Sequence, residues 1–170
     1  MHPSIEARSW IERLQLAPHP EGGYYREIYH SPRYLRDPDI LATHGGPRRS
    51  ATSIYFLLPE GDVSRLHQLL SDEIWYHHFG RAVRVHLFHP DGRYEARELG
   101  LPDIADREPQ LLVPAGTVFG AELVPGEGVD FALVGCMVTP GFDFRDFALV
   151  SRDELVPRFP NQQDVIERLT

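Results

Sequence analysis

Residues 61–80 read GDVSRLHQLLSDEIWYHHFG, two strand-like runs on either side of a short break. Residues 63–69 and 73–79 carry the strand character, and Leu70-Ser71-Asp72 is short enough to predict a hairpin between them. Side chains alternate along a strand, so Arg65, His67 and Leu69 are expected on one face, and Glu73, Trp75 and His77 on one face of the partner. The hairpin would bring His67 and Glu73 into one small volume. A histidine and a carboxylate converging inside an apolar barrel suit two jobs: holding a divalent metal, or forming a base whose pKa a partner tunes.

The rest of the chain sets bounds on that pair. With 170 residues, 42% hydrophobic and 25% charged, the sequence is expected to form one globular domain with a sizeable core. A formal net charge of -8 argues against a nucleic-acid partner. The opening, MHPSIEARSWIERL, lacks the long apolar run of a signal peptide or membrane span. A single cysteine, Cys136, excludes an internal disulfide framework and fits a reducing compartment. A cytoplasmic location with no membrane contact is therefore expected.

Outward from the central stretch, residues 3–16 predict a helix with Ser4 as N-cap and Ile5, Trp10, Ile11 and Leu14 as its apolar stripe. Residues 24–29 predict an aromatic strand with Tyr24, Arg26 and Ile28 on one face, either at a subunit interface or along a polar pocket. Residues 30–50 show no clear period and predict a long loop in which His44 is solvated. The run SATSIYFLL at 50–58, including Tyr55, predicts a buried strand. AVRVHLFHPDGRYEARELG predicts a hairpin around Pro90-Asp91-Gly92, with His86 and His89 outward or in the turn. FALVGCMV at 131–138 predicts a buried strand in which Cys136 packs. Near the end, Ser151-Arg152-Asp153-Glu154 has capping-box spacing, and residues 161–169 predict a helix capped by Asn161.

The positions of Gly61, His67, Glu73 and Gly80 resemble the first signature of the cupin superfamily: Gly, five residues, His-x-His, three or four residues, Glu, six residues, Gly. Pro114-Ala115-Gly116 followed by Phe119 resembles the second, Pro-x-Gly, two residues, His. Together HPEGGYYRE, SRLHQLLSDEIW, VPAGTVF and LVGCMVTPGFDFRDF are similar to a group of small cupins classed as a family of unknown function, over residues 18–150. The resemblance implies an all-β double-stranded β-helix, the cupin jelly roll, over about 22–150, with helical extensions at 3–16 and 151–169 and assembly as a homodimer. In metal-dependent cupins the two histidines and glutamate of the first signature, with the histidine of the second, bind iron, manganese, nickel or zinc. Here His67 and Glu73 keep two of those positions, while Leu69 and Phe119 replace the others. His77 offers no substitute, since four residues along a strand span about 13 Å.

Ser64-Arg65-Leu66-His67 is also similar to a stretch of the nucleotide-sugar epimerases, which are metal-independent cupins. That similarity implies His67 as a base, Glu73 as the group that orients or tunes it, and Arg65 as the holder of an anionic or enolate oxygen. Tyr24, Tyr55 and Tyr76 are candidate acids, and Trp75, His77, Phe119, Tyr55 and Arg26 are candidate ligand contacts. The expected function is binding of a small molecule, with epimerisation or isomerisation of a sugar or other carbonyl compound and no cofactor. One alternative is a metal-dependent oxygenase or isomerase in which His67 and Glu73 hold the ion. Another is a binding module without chemistry, with Trp75 and Phe119 as flat surfaces for a ring. In the blandest reading, His67 and Glu73 merely satisfy each other.

Overall fold

The computed structural model describes residues 3–102, 106–126 and 128–170. Nine strands longer than two residues build two facing sheets: β1 Tyr24–His30, β2 Thr52–Pro59, β3 Ser64–Gln68, β4 Asp72–Gly80, β5 Val83–Phe88, β6 Tyr94–Leu99, β7 Gln110–Val113, β8 Val118–Leu123 and β9 Phe131–Thr139. The first sheet is six-stranded, in the order Ala17–Pro18, β1, β2, β9, β4, β7. The second, also six-stranded, runs Arg107–Glu108, β6, β5, β8, β3, Ala148–Leu149. This is the jelly roll that the two signatures imply.

The sheets place the central stretch differently from a hairpin. Strand β3 pairs with β8 and with Ala148–Leu149, whereas β4 pairs with β9 and β7. His67 and Glu73 thus project from opposite sheets, and residues 69–71 are a corner that crosses the sandwich. The corner is fixed from outside its own strands. Gly116 donates its N–H to the Leu69 carbonyl at 2.9 Å, and the Gln68 side-chain amide donates to the Gly116 carbonyl. Those bonds come from the Pro114-Ala115-Gly116 turn, a partner no local pattern announces. The predicted hairpin at Pro90-Asp91-Gly92 does form, pairing Val83 with Leu99 through Phe88 with Tyr94.

Three apolar clusters hold the molecule together, at about 1.5–3 kcal/mol for each fully buried large side chain. The first fills the space between the sheets and includes Phe56, Trp75, Val85, Leu87, Phe119 and Val134. The second lies on the outer face of the second sheet, where α3 Arg152–Leu155 and α4 Gln163–Leu169 bring Leu155, Ile166 and Leu169 onto Leu66, Phe88 and Val118. The third lies on the outer face of the first sheet, beneath α1 Ile5–Leu14. Ser4 caps α1 by accepting the Ala7 N–H, and Trp10 stacks on Phe79 with ring centroids 4.9 Å apart.

Several sequence expectations need correction. Residues 30–50 contain helix α2 Pro38–His44 and a short pairing of Tyr34–Leu35 with Arg48–Arg49. Asp37 caps that helix at Ile40 N–H, Pro38 opens it, and Gly45 closes it in the left-handed conformation. His44 is buried rather than solvated, because it meets Asp146 at 3.0 Å beside the Arg48–Asp146 pair. His86 has outward parity and His89 lies at the turn, yet both are covered: His86 contacts Tyr94 and Glu122, and His89 contacts Glu95. The capping box at Ser151–Glu154 forms, whereas α4 begins at Gln163 behind a single 3-10 turn, so Asn161 does not cap it.

Candidate functional site

Between the sheets, toward the side where residues 19–23 cross β3, lies a small pocket partly open to solvent. Its polar lining comes from His19, Glu21, Thr52, His67, Glu73 and Cys136, set in a wall of Tyr25, Ile54, Phe56, Leu69, Val138, Phe142 and Phe147. Among the described residues no arginine or lysine lines it. The pocket therefore suits an uncharged, largely apolar molecule that presents a few polar atoms.

The loop before β1 delivers two of the polar groups. Gly22 and Gly23 have φ of 109° and 65°, and a Cβ on Gly22 would stand 2.1 Å from the Val63 carbonyl oxygen. Only glycine lets the backbone lie this close to β3. The loop is then tied down at four points: Arg65 N–H donates to the Glu21 carbonyl at 2.8 Å, Gly23 N–H to Asp62 Oδ2 at 2.9 Å, and Ser64 Oγ to Glu21 Oε1 at 2.8 Å, while the exposed Arg65 guanidinium donates to the Pro20 carbonyl. As a result the Glu21 carboxylate is buried inside the barrel mouth.

Glu21 Oε2 lies 3.3 Å from His67 Nε2 and 3.4 Å from His19 Nδ1. His67 Nδ1 is 2.6 Å from the Arg65 carbonyl oxygen, an acceptor only, so Nδ1 carries a proton. Its Nε2 is thereby left unprotonated in the neutral ring and directed toward the Glu21 carboxylate. Burial first, and His67 as well, lower the pKa of His19, against the raising effect of Glu21.

Glu73 stands on the facing sheet. Burial, and secondly the negative charge of Glu21, push its carboxyl up to about 8, offset in part by contacts from Cys136 and Trp75. The Cys136 thiol is itself driven up by burial and by Glu73, which makes it a packing group rather than a nucleophile at neutral pH.

Of the residues picked from sequence, His67 and Glu73 meet at this pocket, and the other eight, the candidate acids Tyr24, Tyr55 and Tyr76 among them, do not line it. Arg65 is exposed where the loop crosses β3. Arg26 reaches away to Gln15 at 3.2 Å on the outer face. Tyr55 also faces outward and packs edge-on against His78, 6.0 Å between centroids. Trp75 is buried in the core against Phe56, at 5.7 Å, and Phe119, at 6.3 Å. Phe119 packs directly on the His67 ring, 4.1 Å between centroids, and His77 is turned toward the Arg81 carbonyl at 3.3 Å. His67's carboxylate neighbour is Glu21 rather than Glu73, because the corner at 69–71 puts Glu73 on the other wall. His19 and Glu21 escaped sequence reading, although HPEGG offered a signal: a polar His-x-Glu immediately before a glycine pair able to fold it inward.

The donor set does not fit a cupin metal. Leu69 and Phe119 fill two of the four ligand positions, and His67 Nε2 is directed at Glu21. Among the described residues no group of three or more His, Cys, Asp or Glu side chains is arranged to hold an ion.

A two-sheet jelly roll whose pocket is framed by the Gly61–Gly80 and Pro114–Phe119 signatures defines a cupin. Residues 8–150 match the family described as Cupin superfamily (DUF985), and the chain belongs to that family. An uncharacterised protein of Saccharomyces cerevisiae is 31% identical over 162 residues, covering 90% of this chain and 80% of the yeast protein. A protein of Shewanella oneidensis is similar in structure, with a TM-score of 0.82, 38% identity, and coverage of 100% of this chain and 98% of that one. A hypothetical protein from Leishmania major gives a TM-score of 0.83 at 36% identity, covering 96% of this chain and 98% of its own. Oxalate decarboxylase from Bacillus subtilis shares the fold at a TM-score of 0.54 and 17% identity, covering 90% of this chain and 36% of that one.

Proposed function

We propose that this cupin binds a small uncharged carbonyl compound and isomerises or epimerises it by proton transfer, without a metal. The observation that carries the reading is a pocket with His67 and Glu21 3.3 Å apart on one wall and a carboxyl raised to about 8, Glu73, on the other. Titratable groups whose surroundings push them apart are the usual sign of acid and base roles.

His67 acts as the base through Nε2, with the Glu21 carboxylate beside it to steady the imidazolium that forms. It takes the proton from the carbon beside the carbonyl, the C–H electrons move into the carbonyl, and an enol or enolate forms. Glu73, still protonated at neutral pH, returns a proton from the facing sheet. Delivery from the opposite wall is what inversion at a carbon requires. Tyr25, Phe56, Phe142 and Phe147 make the surrounding wall apolar, which limits the water that can compete. The absence of a lining cation favours a neutral ligand over a phosphorylated one, so a sugar nucleotide could enter only by its sugar.

The test is deuterium uptake. A panel of α-hydroxy ketones and free ketoses incubated with the protein in D2O should gain deuterium beside the carbonyl, followed by proton NMR. His67→Ala should slow uptake by roughly 10²- to 10⁴-fold, and Glu73→Gln should block isomerisation while sparing the first exchange step. Uptake unchanged in His67→Ala would remove His67 from the chemistry.

A further inference from the structure

Isomerisation through an enolate needs a group that steadies the developing oxygen charge, and Arg65, which the sequence suggested for it, stands outside the pocket. His19 is built differently. Its Nδ1 accepts the backbone N–H of Glu21 at 3.3 Å, two residues on in the same tight loop. A nitrogen that accepts is unprotonated, so in the neutral ring the proton resides on Nε2. Burial keeps the ring neutral, against the pull of Glu21. Among the described residues no protein acceptor is paired with that Nε2–H, although the side chain is 6% exposed and lines the pocket.

The surroundings fix the ring in place. Tyr25 meets it edge-on with centroids 4.5 Å apart, Phe147 edge-on at 5.9 Å, and Phe144 lies roughly parallel at 6.1 Å. A neutral N–H held rigidly in an apolar wall, with no partner of its own, costs little reorganisation when a charged oxygen forms beside it. A cationic histidine would instead be drawn to Glu21.

We infer that His19, through a neutral Nε2–H, is the oxyanion donor of this pocket, and that the ligand class is planar compounds carrying an enolisable carbonyl or an equivalent enolic oxygen. The inference rests on the proton-transfer reading for its place in a reaction, but it can be tested without turnover. A phenol imitates an enol, and a phenolate imitates the enolate, so 4-nitrophenol serves as the probe. At a pH below the Glu73 titration at about 8, the wild-type protein should bind the probe as its coloured phenolate, lowering the probe's apparent pKa. His19→Gln, which keeps an N–H donor, should retain most of the shift. His19→Phe, which keeps the flat ring, should lose about tenfold or more in phenolate affinity while still binding neutral phenol.

A second measurement guards against misfolded variants. Nitrogen-15 NMR of the unmodified protein should show the His19 ring neutral with its proton on Nε2. A proton on Nδ1, a phenolate shift that survives His19→Phe, or no phenol binding in the wild type would each overturn the inference. A His19-dependent phenolate shift in a protein that exchanges no carbonyl compound would leave the donor standing and remove the isomerase reading instead.

Discussion

Glu73 lies near the start of a central strand, where an ionised carboxylate is costly, and this one environment controls two observables. Its folded-state pKa, about 8, is above the ordinary value of 4.5 that it regains on unfolding. Between those limits the unfolded chain binds fewer protons than the folded one. The carboxyl's contribution is therefore fully present below pH 4.5 and is lost as pH rises through about 8. The gap corresponds to something on the order of 3–5 kcal/mol. Melting temperature should fall as pH rises over this window, and Glu73→Gln should flatten the profile and raise the melting point at neutral pH; a variant with the wild-type slope would mean that another group sets it. His67→Ala leaves Glu21 without its partner and should cost about 1–3 kcal/mol by denaturant titration. The sequence showed both residues, since signature spacing and strand parity locate them. It did not show Glu21, because a loop carries no period and its inward turn depends on contacts with a strand some forty residues away.

Among the elements, the corner at 69–71 and the loop at 19–23 decide the site more than the strands do. Three residues between two strands ordinarily make a hairpin; here each strand pairs in its own sheet, and bonds between the corner and the Pro114–Gly116 turn, Ala115 N–H to Asp72 Oδ1 at 2.8 Å among them, hold the crossing. Strand identity was legible here from alternation, but sheet membership was not. At the loop, Gly22→Ala sets a Cβ against the Val63 carbonyl at a backbone angle that side chains avoid. It should cost about 1–3 kcal/mol and weaken ligand binding by moving Glu21, both checked by calorimetry on one sample. A second clasp holds the far wall: Arg48 donates to both Asp146 oxygens, at 2.6 and 2.7 Å, next to the turn that precedes Phe147. Arg48→Met strands a buried carboxylate and should destabilise by about 3–5 kcal/mol, with Arg48→Met/Asp146→Leu recovering much of the loss. Equal loss in the single and double variants would show that packing, not charge, is at stake. Helix α2 escaped the sequence reading because its cap and closing glycine are sound but its seven residues are too few to show a period.

For the whole molecule, the jelly roll could be read from two short signatures and turn-punctuated alternation, and the lost metal positions, Leu69 and Phe119, from the same spacing. What the sequence could not give was the meeting of His19 and Glu21 with His67 and Glu73 in one pocket, since it arises where separate segments of the chain converge. Among the described residues no helix is long and apolar enough to cross a membrane, and the family relationship places the chain among cupins without fixing a substrate. Protein prepared without added metal should contain well under one equivalent of iron, manganese, nickel or zinc, and chelation should change neither melting temperature nor deuterium uptake. Stoichiometric metal that vanishes in His67→Ala would reinstate a metal site. The most direct test of the account is the protonation of Glu73 itself, followed by carbon-13 NMR of its side-chain carboxyl. A midpoint near 8, moving down when Glu21 is replaced by glutamine, is the predicted result. A carboxylate already ionised at neutral pH, with a midpoint near 4.5, would contradict it: Glu73 could not then return the proton, and the pocket would lack its acid.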